Sequence, residues 1–275
     1  MINELVVTGI FQGLILAFVA YGVMIPFRLL NFPDLTAEGA YPLGGAVCAS
    51  LLIGGINPIF AMFIAVFVSG MVGVCTAIIH LKFKVNTLLA GIILSIMVYS
   101  VNLRIMGKPN IALFDIENIF SNYSGILIIV CIISLLVTPF TLYLSTEKGL
   151  RFRAVGLNPE FAKRQNISVS KYTIFGMFIA SGFSGLAGSL MVQMQSYMDI
   201  NMGVGIVIHA LAALMIGESI TGTNTLNKQL LAPLVGALVY QQMQGLALNL
   251  GLAPSDLKFV TGAIVLTVIA LRVRK

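Results

Sequence analysis

SGILIIVCIISLLVTPFTLYL, Ser124 to Leu144, carries no charged residue, and STEKGLRFRAVGLNPEFAKRQNISVSK, Ser145 to Lys171, follows it directly. The first stretch is long enough to cross a bilayer as a helix, which takes about 20 apolar residues. The second is the longest polar stretch in the chain and is rich in lysine and arginine. A span-length apolar run against a basic loop is the repeating unit of a polytopic membrane protein, and the rest of the chain repeats it. Of 275 residues, 58% are hydrophobic and only 9% are charged. A soluble domain carries about 25% charged residues. The composition excludes a soluble enzyme, a secreted disulfide domain and a disordered chain. It also leaves no room for a separate soluble domain, so residues 1–275 read as one transmembrane domain with a cytoplasmic loop at 145–171.

Working outward, the other apolar runs are Leu5–Ile25, Pro42–Leu52, Pro58–Ile79, Asn86–Arg104, Tyr172–Gln193, Gly203–Gly217, Leu230–Leu248 and Lys258–Leu271. Between the first two lies NFPDLTAEGAYPLGG, Asn31–Gly45, with two acids and two prolines. It is too short to span and reads as a re-entrant segment buried against other helices. Asp34 can cap a short helical turn there, with Glu38 near its positive end. The fold class is therefore all-α: a polytopic membrane helical bundle of about nine transmembrane helices plus a short re-entrant segment. MINEL at the N-terminus has no basic region and no small-residue cleavage site follows, so the first run reads as a retained helix.

The net charge of +6 is a topology signal and points to the bilayer, not to nucleic acid, because the charges sit between apolar runs. With loop 145–171 in the cytoplasm, alternation places Arg28, Lys82, Lys84, Lys228 and the RVRK tail there too. Of the 16 lysines and arginines, all but Arg104, Lys108 and Lys258 then lie on one side. That bias sets the N-terminus outside and the C-terminus in the cytoplasm, and it needs an odd number of crossings.

Small residues mark helix contacts in lipid. Ser181, Gly185 and Ser189 on the sixth run, and Gly70, Gly73 and Ala77 on the third, read as packing faces. Cys48, Cys75 and Cys131 read as buried small hydrophobes. Pro42-Leu43-Gly44-Gly45-Ala46 echoes Pro233-Leu234-Val235-Gly236-Ala237, each expected to open a helix on the cytoplasmic side, as in a repeat. Neither the two histidines nor the three cysteines have metal-ligand spacing, so no metal or cofactor is expected.

Within the long loop, Asn158 followed by Pro159 suits a helix start, with Glu160 at its positive end and Lys163 and Arg164 at its negative end. That is more structure than a topology signal needs, and it predicts one short docking helix for a cytoplasmic partner over Ala154–Ala162. Gly156 is expected to supply unusual backbone angles.

Gly149-x-x-x-Arg153-Ala154-x-Gly156-x-Asn158-Pro159-x-x-Ala162 resembles the cytoplasmic loop of permease subunits in ATP-binding-cassette importers. The closest group is the branched-chain amino acid and monosaccharide permeases, and NFPDLTAEGAYPLGGAV resembles the region after their first helix. NTLLAGIILSIMVYSVNLRIMGKPN is similar to a subfamily that works with receptors of the tryptophan/tyrosine-binding type. The resemblance implies a permease in the cytoplasmic membrane that imports a small polar solute, an amino acid, and the subfamily resemblance suggests an aromatic one. It also implies an ABC ATPase subunit, an extracytoplasmic substrate-binding protein and a permease homodimer. Arg153, Ala154, Gly156, Asn158, Pro159 and Ala162 would couple to the ATPase. The chain has no GxxxxGK[ST] phosphate loop, so ATP hydrolysis belongs to another subunit.

Polar residues in the spans are candidates for the translocation path, since burying them in lipid is costly. They are Gln241, Gln242 and Gln244 on the eighth run, Asn102 on the fourth, and Glu38. Amides can hydrogen-bond a zwitterionic solute without trapping it; the competing role is interhelical bonding. Gln193 and Gln195 lie near the outer end of the sixth run. Ser184, in GFSG, with His209 is how an intramembrane serine protease would read, but the match is four residues long. An ion-coupled secondary transporter is the main alternative. It would place acids at mid-membrane, whereas Asp34 and Glu218 read as lying near the cytoplasmic ends.

Overall fold

In the computed structural model, residues 2–114, 116–120 and 125–249 are described, with residues 259, 262, 263 and 267 beyond them. The helices are α1 (Ile2–Met24), α2 (Ala37–Ile53), α3 (Pro58–Phe83), α4 (Thr87–Met106), α5 (Gly125–Ser145), α6 (Glu147–Leu157), α7 (Pro159–Arg164), α8 (Val169–Gln195), α9 (Ile206–Thr221) and α10 (Leu226–Asn249). Two short strands, β1 (Asn110–Ala112) and β2 (Tyr197–Asp199), pair antiparallel with Ile111 opposite Met198.

Local chemistry sets several of these ends. Asn57 accepts the Ile59 N–H at 3.0 Å ahead of Pro58, and Asn86 accepts the Leu88 N–H at 2.9 Å. Both satisfy donors that a helix start leaves unpaired. Pro26 has no N–H to give to the preceding turn. The helix widens there into a π-turn over Ile25–Leu29, and Leu30 donates to the Ile25 carbonyl at 3.0 Å.

Six segments are long and apolar enough to cross a membrane: Val6–Leu29, Pro58–Phe83, Thr87–Met106, Gly125–Ser145, Val169–Gln195 and Ile200–Thr221. The molecule is a polytopic helical membrane protein. Helix α2 has 17 residues, and α10 carries Gln241, Gln242 and Gln244, so neither meets the same measure. The run Lys258–Leu271 falls almost wholly outside the described residues.

The sequence reading of Asn31–Gly45 needs correction. The residues from Asn31 to Leu35 are non-helical, but Ala37–Gly45 is already the first half of α2, so the re-entrant segment and the second run are one continuous entry. Asp34 shapes it by accepting from the Thr36 N–H at 3.1 Å and the Thr36 hydroxyl at 2.6 Å. The Thr36 hydroxyl also lies 2.8 Å from that of Thr76 on α3. A Cβ on Gly39 would meet Ser95 of α4 at 2.8 Å, and one on Gly91 would meet the Asp34 carboxylate. The start of α2 thus lies beside the middle of α4, deeper than the helix ends. Irregular backbone is tolerated at such depth because protein surrounds it.

Helices α1 and α8 form the centre: 78% of the apolar window in Val6–Leu29 is buried, against 17% in Gly125–Ser145. The small-residue faces pack as expected. A Cβ on Gly73 would strike the Met177 carbonyl, and one on Gly70 would meet the Phe178 ring at 2.7 Å. On the other side of α8, Gly44 lies against Gly185 and Gly188 against the Tyr41 carbonyl. Backbones this close gain dispersion contacts that bulky side chains would prevent.

The echoed pentapeptides do not open helices. Pro42 lies inside α2 and Pro233 inside α10. What they share is a glycine in close contact with a neighbour: Gly44 on α8, and Gly236 on the Ala213 carbonyl of α9. Cys48 is buried, but Cys75 and Cys131 are exposed on α3 and α5. They sit among outward-facing Phe60, Phe63, Phe67, Leu127, Leu135 and Leu142. A membrane helix can turn its apolar face to acyl chains, so an apolar cysteine need not be interior.

Candidate functional site: the α6–α7 elbow, a charged latch and two polar cavities

The loop 145–171 folds as two helices, not one. Thr146 caps α6 by accepting the Gly149 N–H at 3.3 Å. Asn158 leaves helical geometry (φ −155°, ψ 97°) and accepts the Phe161 N–H at 3.0 Å, so it ends α6 and caps α7 in one residue. Pro159 takes the first position of α7, where its missing N–H is no loss.

The side chains divide into an inward and an outward set. Phe152, Val155, Gly156 and Ala162 are buried against the rest of the chain, and Arg153 and Ala154 are half-buried. Leu157 (87% exposed), Phe161 and Leu150 point outward. Phe152, Val155 and the small residues Gly156 and Ala162 therefore seat the elbow on its own bundle, and Leu150, Leu157 and Phe161 form its free edge. Gly156 is helical and has no unusual backbone angle. A Cβ there would strike the Leu29 carbonyl, so glycine is required by close approach.

One residue before Leu29, Arg28 reaches α9. Its Nε and a terminal nitrogen donate to the two Glu218 carboxylate oxygens at 2.6 and 2.7 Å. Glu218 is buried and Arg28 is partly open to a cavity of about 230 Å³ that Thr223 and Gln229 also line. The fork-to-fork geometry fixes both direction and distance. The sequence reading missed this pair, because its members are 190 positions apart. The available signal was two opposite charges at the same end of two apolar runs.

The polar candidates separate into two groups. Gln241 donates to Gln12 on α1 at 2.6 Å, Gln242 to the Val6 carbonyl at 3.0 Å, and Gln244 to the Tyr240 hydroxyl at 2.8 Å. The first two bonds, with Tyr21 donating to the Leu230 carbonyl at 2.7 Å, stitch α1 to α10, while the Gln244–Tyr240 bond lies within α10. Glu38 and Asn102, by contrast, line one cavity of about 410 Å³ between α2, α4 and the turn Ile200–Gly203.

Gln193 is structural: it accepts the Ile119 N–H at 3.0 Å and lies 3.5 Å from the Cys48 sulfur. Gln195, Tyr197, Asp199 and His209 line a second cavity of about 360 Å³. The Ser184 hydroxyl donates to the Ala180 carbonyl at 3.2 Å and lines none of these cavities. The His209 ring lies 5.9 Å from that of Tyr240, on the α9–α10 side. Among the described residues, no group of three His, Cys, Asp or Glu side chains gathers as a metal site.

Residues 5–269 match the family described as branched-chain amino acid transport system / permease component. The tyrosine transport system permease protein of Clostridioides difficile is 36% identical over 260 residues, covering 94% of this chain and 88% of that one. The probable branched-chain amino acid transport permease protein LivH of Methanocaldococcus jannaschii is 26% identical, covering 74% of this chain and 70% of its own. The nucleoside ABC transporter permease protein NupB of Lactococcus lactis is 29% identical over half of this chain and 36% of its own. No solved structure matches the chain. A match that runs nearly end to end, on a helical bundle with a two-helix basic loop, makes this chain a member of the branched-chain amino acid transport system permease family.

Proposed function

We propose that the chain is the membrane-spanning subunit of an ATP-driven importer that moves an amino acid, aromatic in the favoured case, across the cytoplasmic membrane by alternating access. The observation that carries this reading is the α6–α7 elbow. Its outward edge of Leu157 and Phe161 is free, while its inward face rests on the π-turn after α1. An ATPase gripping the edge would push Leu29 through Gly156, and Arg28 would pass the movement to α9 through Glu218. In this reading Arg153, Ala154, Gly156, Asn158, Pro159 and Ala162 form the coupling element. Two copies of the chain pair with two ATPases and one extracytoplasmic binding protein.

In the same reading the chain makes nine crossings, with the N-terminus outside and the C-terminus in the cytoplasm. The basic residues favour it: the elbow, Arg28, Lys82 and Lys84 then share the cytoplasmic side. The aromatic substrate is carried over from the name of the Clostridioides difficile relative.

One observation favours the ion-driven alternative. Glu38 shares a cavity with Ser95, near the middle of α4, while Asp34 lies about one turn inside the start of that helix, at Gly91. Uptake of labelled L-tyrosine by cells holding the permease, its binding protein and its ATPase separates the two. The proposal expects uptake to vanish when the phosphate-loop lysine of the ATPase is replaced and to survive a proton ionophore once ATP is kept constant. The reverse pattern assigns the chain to ion-coupled transport.

A further inference from the structure

The cavity between α2, α4 and the Ile200–Gly203 turn holds an uncommon combination of groups. Asn102 is fully buried in its wall, and neither its Oδ1 nor its Nδ2 has a hydrogen-bond partner. A buried amide left in that state costs about 1–3 kcal/mol. Among the described residues the only other buried side-chain nitrogen or oxygen without a partner is Nε of Arg153, far away in the elbow. The amide is therefore an unpaired hydrogen-bonding group buried in the wall of that space.

Glu38 stands across the same space, in the first turn of α2. The Gly205 N–H, at the start of α9, faces its carboxylate. The starts of α2 and α9 thus flank one carboxyl group, and the Gly205 N–H is placed to bond it. Among the described residues no lysine or arginine pairs with it. Tyr99 and Ile96 supply apolar walls, and Ser100 lies at the exposed rim. The volume, about 410 Å³, is within the span of small-molecule sites. A helix that begins beside the middle of its neighbour also puts these groups where a transported solute passes.

We propose that this cavity is a binding site for the head of an α-amino acid on the translocation path: Glu38 receives the ammonium group and the Asn102 amide bonds the carboxylate. The inference rests on the amino-acid import reading above and deepens it. A neutral sugar or nucleoside brings no cation to Glu38. The site therefore selects for a primary ammonium within a family whose relatives include a nucleoside permease.

The test uses the whole importer, permease with ATPase and binding protein, in proteoliposomes, reading ATP-driven uptake of labelled L-tyrosine, L-leucine and uridine. Glu38→Gln is expected to lower uptake of the transported amino acid at least tenfold. Asn102→Leu is expected to lower it severalfold while leaving thermal stability unchanged or higher, since an unpartnered amide is removed. A merely structural asparagine would not divide stability from uptake in this way. Ser100→Trp fills the cavity from its exposed rim without disturbing the core and should also block uptake.

If Glu38→Gln does not assemble, the other two variants decide. Uptake within twofold of the native importer in both overturns the site and leaves the amino-acid reading intact. A native importer that takes up uridine and neither amino acid overturns the underlying reading and the site together.

Discussion

Gly156 of α6 lies against the backbone carbonyl of Leu29 with no space for a side chain between them. The contact ties the cytoplasmic elbow to the π-turn that carries Arg28. Glycine's role here is to let two backbones meet, so its replacement acts on the permease itself before it acts on any partner. Gly156→Leu should destabilise the purified permease by about 1–3 kcal/mol, the usual range for overpacking. Thermal unfolding in detergent reads this directly. A normal melting temperature together with loss of the ATPase would place Gly156 at the subunit interface instead.

The outward edge predicts the opposite pattern. Leu157→Asp and Phe161→Ala remove exposed apolar surface and break no internal contact. The permease should keep its melting temperature and its expression level. A central aromatic anchor is worth about 2 kcal/mol or more at an interface, so Phe161→Ala should weaken ATPase retention roughly thirtyfold. Co-purification from membranes with the ATPase measures it, and full retention by both variants would move the docking surface elsewhere.

The Arg28–Glu218 pair joins a partly exposed arginine to a buried carboxylate. Arg28→Ala leaves that carboxylate without its fork, a change that costs about 3–5 kcal/mol for a fully buried pair. Because water screens the arginine side, about 1–3 kcal/mol is expected here. The double variant Arg28→Met/Glu218→Met should be less destabilised than Arg28→Ala alone, since no charge is left buried. A double-mutant cycle on thermal stability, with uptake measured alongside, checks both the pair and its proposed part in transmission.

Orientation can be read with two labels. After Cys48, Cys75 and Cys131 are replaced by alanine, Lys108→Cys should react with an impermeant maleimide in intact cells. Lys163→Cys, on the exposed side of α7, should react only after permeabilisation. Equal labelling of the two would remove the nine-crossing topology.

Much of the helical framework is legible from local chemistry. Asn57-Pro58, Asn86 and Asn158-Pro159 start α3, α4 and α7 because a side-chain oxygen two or three residues away satisfies the first free N–H groups. Apolar length marks the long helices for a similar reason: each backbone bond closes within four residues. The stripe Ser181, Gly185 and Ser189 was readable as a packing face because small residues at helical spacing have few other uses in lipid. The start of α2 is not legible in the same way: Pro42 signals a helix start locally, whereas Asp34 bonded to Thr36, and Thr36 bonded to Thr76 of α3, set that start upstream.

What the sequence by itself determined was thus the all-helical membrane class, most of the long apolar helices, the basic loop and the family they belong to. The tertiary structure alone decided which side chains share a space. Glu38 and Asn102 meet because α2 begins beside the middle of α4; Gln241 turns to Gln12 because α10 lies along α1; and Arg28 finds Glu218 because the π-turn swings it toward α9. Hydrogen bonds within a helix depend on neighbours in the chain, and so leave a pattern in the sequence. Contacts between helices depend on crossing geometry, which small differences in packing choose among arrangements that the apolar pattern leaves equally open.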